Sequence, residues 1–402
     1  MISVSEAIAV IKDVARALPA ERVGLADALH SILAEDVIAD SDLPPFDRAQ
    51  MDGYAIRAAD VASVPVRLRV VGESAAGSGW HKDMKAGEAV RIMTGAPVPD
   101  GADSVQQVEV THELDGGEYV QIDKATTNGQ FIVPCAAEVK AGERVLIAGD
   151  EINAAMMAAL ASFGYSEVKV GRRPRVKVLA TGSELVAVDQ KPGQDQIRDS
   201  NGYSLGAYAA LCGAQVQRLP LAGDDQETLE RTIIEAAADC DVLILSGGVS
   251  MGVYDFTKAA LLAVGAEMFF DRVSLRPGKP TVFARLGNTL MFGLPGNPVS
   301  VSVTFNLFVR TALRAMQGAR DATLTSETAI IALDTKGSIE RESYLPGQLE
   351  TNDKGQLIAV PLRWGGSSDF VSFTRATALI NVAAGVKLVK TGSQVKVLRL
   401  PA

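Results

Sequence analysis

Residues 242–255 read VLILSGGVSMGVYD, an aliphatic run from Val242 to Leu245 that passes straight into a glycine-rich turn. An unbroken apolar run of that length suits a strand covered on both faces, as in a parallel sheet. In the turn, Gly247, Gly248 and Gly252 let backbone N–H groups come close to an anion. A helix expected to start near Asp255 points its positive end toward the same place. The chain around this stretch alternates. Strands are expected at Val176–Ala180, Gln215–Leu219, Thr281–Ala284 and Leu290–Gly293, and helices at Asn201–Leu211, Gln226–Ala238, Phe256–Val264 and Pro298–Met316. Leu229, Ile233, Ile234 and Ala237 form the expected buried stripe of the second helix. Such alternation predicts a doubly wound, mostly parallel α/β domain over residues 173–318, with ligands bound beyond the carboxyl ends of its strands.

The flanking regions read differently. Val4, Ala7, Ile8, Ile11, Val14, Ala15 and Leu18 share one helical face, and Ser3 and Glu6 have capping-box spacing. Residues 1–43 are therefore expected to be helical, with Gly24 separating two helices. Residues 44–134 read as short strands: Val66, Leu68 and Val70 alternate with Arg67 and Arg69. Residues 135–172 carry two Ala-Gly turns and then a helix through Met156, Met157 and Leu160. That piece is expected to return to the N-terminal segment, which makes the β region an insertion. Beyond residue 318, strands at Ala329–Leu333, Leu357–Val360, Ala378–Asn381 and Val395–Leu398 suggest a small β-barrel or sandwich.

Bulk properties narrow the function classes. A length of 402 residues suggests two to four domains, and a net charge of −9 argues against nucleic acid or an anionic membrane as the main partner. No apolar run approaches the roughly 20 residues that span a bilayer. Cys135, Cys212 and Cys240, and His30, His81 and His112, show neither CxxC nor metal-ligand spacing. The expectation is a cytoplasmic protein with reduced thiols.

Three loops fall where a ligand of such a sheet would sit: Thr181–Glu184, Ser246–Asp255 and Gly293–Pro298 (GLPGNP). In the last, Asn297 is placed to cap a helix that Pro298 begins. Any one of them alone is an ordinary turn. Their recurrence on neighbouring strand ends, two with acids (Glu184, Asp255), points to a ligand. Arg272, Arg276 and Lys279 set three cations within eight residues around a Pro-Gly turn, as an oxyanion or polyphosphate requires, although a solvated basic loop reads equally well. Asp52-Gly53 in PPFDRAQMDGYA (44–55) and Thr94 in RIMTGAPVP (91–99) end strands in rigid turns.

Taken in order, PPFDRAQMDGYA, RIMTGAPVPDGAD, TGSEL, IRDSNGYSL, SGGVSMGVYD, RPGKP and GLPGNPVS resemble the molybdopterin molybdenumtransferase family, to which the gephyrin E domain is related. The segments run from residue 44 to 300, and both ends of the chain also fit the family plan. The resemblance implies four domains: 1–43 plus 135–172 (helical and linker), 44–134 (β insertion), 173–318 (α/β, related to molybdopterin adenylyltransferase) and 319–402 (β-barrel). It implies a homodimer with an active site shared between subunits, a reaction that places molybdate on adenylylated molybdopterin with release of AMP, and assistance by Mg2+. A docking molybdopterin adenylyltransferase is a further implied partner.

By the same resemblance, Asp52, Glu184 and Asp255 form the acidic set for the cation and AMP release. Gly247, Gly248 and Ser250 hold pterin or phosphate, with Thr94, Ser200, Ser246, Arg272 and Asn297 also on the substrate. Arg276, Lys279, Pro280 and Ser300 line the oxyanion pocket, and Arg341 and Ser367 reach it from the C-terminal domain. The chain departs from the family pattern at Val253, where an acid is usual, around Val133–Glu138, where only Glu138 keeps an acid, and at Asp369, where an apolar residue is common. Three rival readings stay open: a tungstate-preferring insertase, the adenylyltransferase step, and a non-catalytic dimeric scaffold on the same fold.

Overall fold

The computed structural model of the chain describes residues 1–223, 225–248, 256–363 and 365–401. The chain divides into two compact units. One comprises Met1–Glu35, Ala148–Met157 and Glu167–Ala402, and the other Asp36–Ile147 and Ala158–Ser166.

At the centre of the first unit is a six-stranded sheet. Its order is Gln215–Arg218, Arg175–Ala180, Val242–Ser246, Thr289–Leu294, Val282–Leu286, Glu267–Phe270. The first four strands are mutually parallel, and the last two each run antiparallel to the preceding neighbour. All of Val242–Ser246 is buried, as its unbroken aliphatic run predicts. Successive residues serve opposite faces of the sheet. Val242 and Ile244 join a core with Val176, Val178, Leu205, Phe292 and Val301. Leu243 and Leu245 join a second core with Leu179, Leu229, Ile233 and Leu261. Each such side chain contributes about 1.5–3 kcal/mol by leaving water.

The N-terminal helix Val4–Val14 has the expected capping box: Glu6 N–H donates to Ser3 Oγ at 3.2 Å, and Ser3 N–H to Glu6 Oε2 at 2.7 Å. It buries Val4, Ala7 and Ile11 in the first core. The second helix expected around Gly24 does not form. Ala20–Gly24 is a strand paired antiparallel with Glu167–Gly171, followed by the short 3-10 turn Leu25–Asp27. Its central pair, Arg22 and Lys169, is 147 positions apart in sequence (169 − 22), beyond the reach of a local pattern. The helix expected from Pro298 to Met316 is also not uniform: a π-helical turn at Phe305–Val309 separates Pro298–Thr304 from Arg310–Met316.

The C-terminal strands close into a five-stranded barrel: Glu342–Thr351, Leu357–Pro361, Ser326–Ile331, Gln394–Arg399 and Ala378–Val382, the last pairing back with the first. Closure leaves no free edge among these strands. Glu342–Thr351 is the strand the sequence hides, because Pro346 and Gly347 interrupt its pattern. A Cβ at Gly347 would lie 2.5 Å from Ile380 Cδ1, so a larger residue there would have to displace the Ile380 side chain.

The second unit is built on another six-stranded sheet, ordered Ser104–Gln107, Gly53–Ile56, Glu88–Ile92, Val66–Ser74, Tyr119–Ile122, Thr111–Leu114. Ala55, Val90, Ile92 and Val105 pack on one face, and Tyr54, Ile56, Leu68 and Val120 on the other.

Asp241, just before the central strand, ties that strand to the start of its neighbour Arg175–Ala180. Its carboxylate accepts from both Arg172 Nη atoms, at 3.0 and 2.8 Å, and from Arg175 N–H at 2.7 Å. Burial pushes its carboxyl up, but the bonds from Arg172 and Arg175 win, and the group sits below the usual carboxylate range. A depressed folded-state pKa means the stabilisation is present above the unfolded value and is lost as pH falls through the folded one. Asp241→Asn is therefore expected to lower unfolding free energy at pH 7 by about 2–3 kcal/mol and to flatten the acid limb. Urea midpoints measured from pH 7 to pH 3 check this, and unchanged acid dependence in the variant contradicts it.

Candidate functional site

The parallel register sets Ala180, Ser246 and Leu294 level with one another, so the three loops leave the sheet side by side. Thr181 N–H donates to Ser246 O at 2.9 Å, and Gly247 N–H to Leu294 O at 3.2 Å. Gly247 has φ +99°, and a Cβ there would lie 2.3 Å from Thr181 O, so only glycine fits. Gly248, at φ +63°, is held by Thr257: Thr257 N–H donates to Gly248 O at 3.2 Å, and its hydroxyl to Gly247 O at 2.9 Å. Ser250 and Asp255 lie outside the described residues.

Asn201, first residue of the helix Asn201–Leu211, joins two of these loops. Its Nδ2 donates to Ser246 Oγ at 3.0 Å and to Gly296 O at 2.7 Å. Its Oδ1 is buried with no partner among the described residues, an acceptor free for a ligand donor. Ser246 is buried under this bond, whereas Ser200, one residue before the helix, is exposed. Glu184 is exposed, close to its own loop's Gly182.

Next to these loops lies a cavity of about 690 Å³, walled on one side by Arg276, Lys279, Pro280, Asn297 and Ser300 and on the other by Lys336, Arg341 and Ser367 of the barrel region. Two contacts hold its sides together. The short strand Leu275–Arg276 pairs in parallel with Glu342–Ser343 of the barrel. Asn297 is the cap residue by position, yet its side chain makes no capping bond. Instead Nδ2 donates to Ser367 Oγ at 2.8 Å, while Val299 N–H donates to Ser367 O at 2.9 Å. Arg276 Nη1 donates to Gly337 O at 3.2 Å and Arg341 Nη1 to Leu275 O at 3.5 Å, which leaves most of each guanidinium's donors for a ligand.

Four cations (Arg276, Lys279, Lys336, Arg341) face this cavity, and among the described lining residues the only carboxylate is Asp334. Asp334 is already engaged by Lys390 Nζ at 3.0 Å and Thr391 N–H at 2.9 Å, bonds that hold its carboxyl below the usual range. The concave surface is therefore positive within a chain of net charge −9, an arrangement that concentrates small anions. Arg272 is exposed and does not line it. The sequence reading missed Lys336 and Asn201. Asn201 lay in view inside IRDSNGYSL, whereas Lys336 has no sequence signal beyond that of a solvated turn lysine.

In the second unit, Asp52 and Thr94 come together across 42 positions. Thr94 N–H donates to Asp52 Oδ1 at 2.6 Å and holds this exposed carboxyl below the usual range. Gly53 next to it admits no side chain, since a Cβ would lie 1.9 Å from Gln106 O. Glu138 pairs with Arg48 at 3.3 Å. Among the described residues no group of three or more His, Cys, Asp or Glu side chains forms a ready metal site.

Three family profiles match in order: "MoeA N-terminal region (domain I and II)" over residues 2–164, "Probable molybdopterin binding domain" over 177–315 and "MoeA C-terminal region (domain IV)" over 328–400. A molybdopterin molybdenumtransferase of Bacillus subtilis is 34% identical over 384 residues, covering 94% of this chain and 89% of the relative. One from Haemophilus influenzae is 35% identical over 374 residues, covering 91% and 92%. The crystal structure of a molybdopterin biosynthesis MoeA protein from Pyrococcus horikoshii OT3 superposes over 100% of both chains with a TM-score of 0.85 at 27% identity.

The Asp52–Thr94 bond has a direct readout. In a carbon-detected NMR titration, the Asp52 carboxyl is expected to titrate below an aspartate in an unstructured peptide, so it is fully ionised near neutrality. A midpoint at or above the peptide value rules the bond out in solution.

Proposed function

The chain belongs to the molybdopterin molybdenumtransferase family, and from that premise we propose that it is a transferase that inserts molybdate into adenylylated molybdopterin and releases AMP. The observation that carries this reading is the cavity with four cations and one neutralised carboxylate next to the glycine loop. A dianionic tetrahedral oxyanion needs several fixed positive donors, and a phosphoanhydride needs an anion-binding backbone turn close by.

In this reading Arg276, Lys279, Ser300, Arg341 and Ser367 hold molybdate, with Lys336 adding charge and Pro280 and Asn297 shaping the wall. Gly247, Gly248, Ser250 and Ser246 hold the phosphate and pterin, Asn201 offers its unpaired Oδ1 to a ligand N–H, and Ser200 and Thr94 contact the substrate's periphery. Arg272 acts at most as an outlying phosphate contact, given its exposure. Asp52, Glu184 and Asp255 supply the hard oxygen donors that suit Mg2+; the ionised state of Asp52 and the exposure of Glu184 fit that role. A divalent cation held by these carboxylates would supply charge neutralisation at the phosphates for anhydride cleavage. The same reading makes the protein a cytoplasmic homodimer with a shared site, built of four domains at 1–43 plus 135–172, 44–134, 173–318 and 319–402. It receives its adenylylated substrate from a molybdopterin adenylyltransferase.

The test combines the purified chain with adenylylated molybdopterin, Mg2+ and either molybdate or tungstate, and follows AMP by chromatography. AMP release that requires the oxyanion supports the proposal, and its preference between the two oxyanions assigns the metal. AMP formed only from ATP and bare molybdopterin favours the adenylyltransferase step, and an intact dimer without turnover favours a scaffold. Lys279→Gln and Arg341→Gln are each expected to raise the molybdate concentration needed about 10- to 100-fold, roughly 1.4–2.7 kcal/mol of lost charge-assisted bonding. Asp255→Asn is expected to cut turnover while leaving the thermal midpoint unchanged; full activity in it removes Asp255 from the site.

A further inference from the structure

A second cavity, of about 250 Å³, shares no residue with the first, and among the residues assigned above only Ser200 borders it. Its walls are the helix Asn201–Leu211, the π-helical turn Phe305–Val309, the short helix Phe370–Phe373 and the chain at Leu400. Four aromatic rings share the lining with polar side chains such as Ser204, Ser302, Asn306 and Thr374. Tyr208 and Phe305 stack with centroids 5.3 Å apart, and Phe370 and Phe373 stand on the opposite side.

One charge faces this apolar space, the guanidinium of Arg310. No carboxylate pairs with it among the described residues. Its Nε is buried without a partner, and Nη1 makes only a 3.6 Å contact with Cys212 Sγ. Burial pushes the Cys212 thiol up against the pull of Arg310, so the sulfur brings no compensating negative charge. Arg314, one helical turn on, also has a buried Nε without a partner, but its Nη1 reaches the Glu151 carboxylate at 2.7 Å, a counter-ion that Arg310 lacks among the described residues. Arg310 is half-buried, and holding a cation partly out of water without a counter-ion is costly. The helix also departs from regular geometry here, and π turns inside α-helices concentrate at functional sites. Cavity, unpaired cation and irregular turn coincide.

We propose that this cavity is a binding site for a small aromatic monocarboxylate, its ring between Phe305, Phe370 and Phe373 and its carboxylate on Arg310. The volume of this half-open cavity admits one ring and a short acid arm, and the single cation selects a single negative charge. Binding here is separate from oxyanion chemistry and stands or falls independently of the insertase reading.

The test is calorimetry and NMR shift mapping on the full chain with three isosteres: phenylacetate, 2-phenylethanol and 2-phenylethylamine. Phenylacetate is expected to saturate and to bind at least tenfold more tightly than the alcohol, with the amine weaker still. Arg310→Gln is expected to abolish the preference for the acid. Phe370→Ser changes a half-exposed rim residue that the fold does not need, and is expected to weaken acid and alcohol together. Should Arg310→Gln not fold, the isostere comparison and Phe370→Ser decide. The proposal is overturned if phenylacetate shows no saturable binding, if the alcohol binds as tightly, if the acid preference survives in Arg310→Gln, or if the shifts map to Lys279 and its neighbours.

Discussion

The side-by-side parallel pairing of Arg175–Ala180, Val242–Ser246 and Thr289–Leu294 is the constraint on which the rest of the first unit depends. A parallel sheet ends its strands together, and each strand end must turn back over the sheet into a covering helix. Three loops therefore emerge at one level, and the buried strands leave them no freedom to slide, because a one-residue slip would exchange Leu243 and Leu245 with Val242 and Ile244 between two different cores. Glycine at 247 and the Thr257 bonds to Gly247 and Gly248 are the local expression of that fixed register. An anion site made from backbone N–H groups needs this rigidity, since its donors cannot be re-aimed by rotating a side chain.

The cation-lined cavity solves a different problem. Four positive groups repel one another, and only a scaffold built for other reasons can hold them together. Here the scaffold is the seam between sheet loops and barrel. The pairing of Leu275–Arg276 with Glu342–Ser343 sets Arg276 beside Arg341, and the Asn297–Ser367 bond fixes the opposite rim. Asp334 is the natural counter-ion, but Lys390 and Thr391 hold it, so the cavity keeps its positive field.

The alternating strands and helices of residues 173–318 were legible because each element is amphipathic or apolar over its own length. The helix Asn201–Leu211 and the strand Val242–Ser246 follow their patterns almost to the residue. Legibility failed where a distant partner decides the conformation. Ala20–Gly24 is a strand only because Glu167–Gly171 lies beside it, and Glu342–Thr351 is a strand despite Pro346 because the barrel closes through it. The site followed the same rule. The glycine loop, Lys279 and, separately, Asp52 and Thr94 stood out through turn chemistry, whereas the Asp52–Thr94 bond and Lys336 became visible only once the chain was folded. Asn297 was read correctly in position and incorrectly in bonding, since its amide serves Ser367 rather than its own helix.

The unpaired atoms show how far a folded chain can be read for what it binds. A buried polar atom without a partner costs free energy that folding alone gives no reason to spend. Asn201 Oδ1 is one such atom, set where its own amide nitrogen already joins Ser246 and Gly296, so the carbonyl side is the only part of that residue left to meet a ligand. Arg310 is a corresponding case for a donor: Nε is unpartnered in both Arg310 and Arg314, but only Arg314 has a carboxylate, that of Glu151, on its Nη1. Among the unpartnered groups of the described residues, Asn201 and Arg310 differ in kind, one an acceptor beside the strand-end loops and one a cation beside aromatic rings.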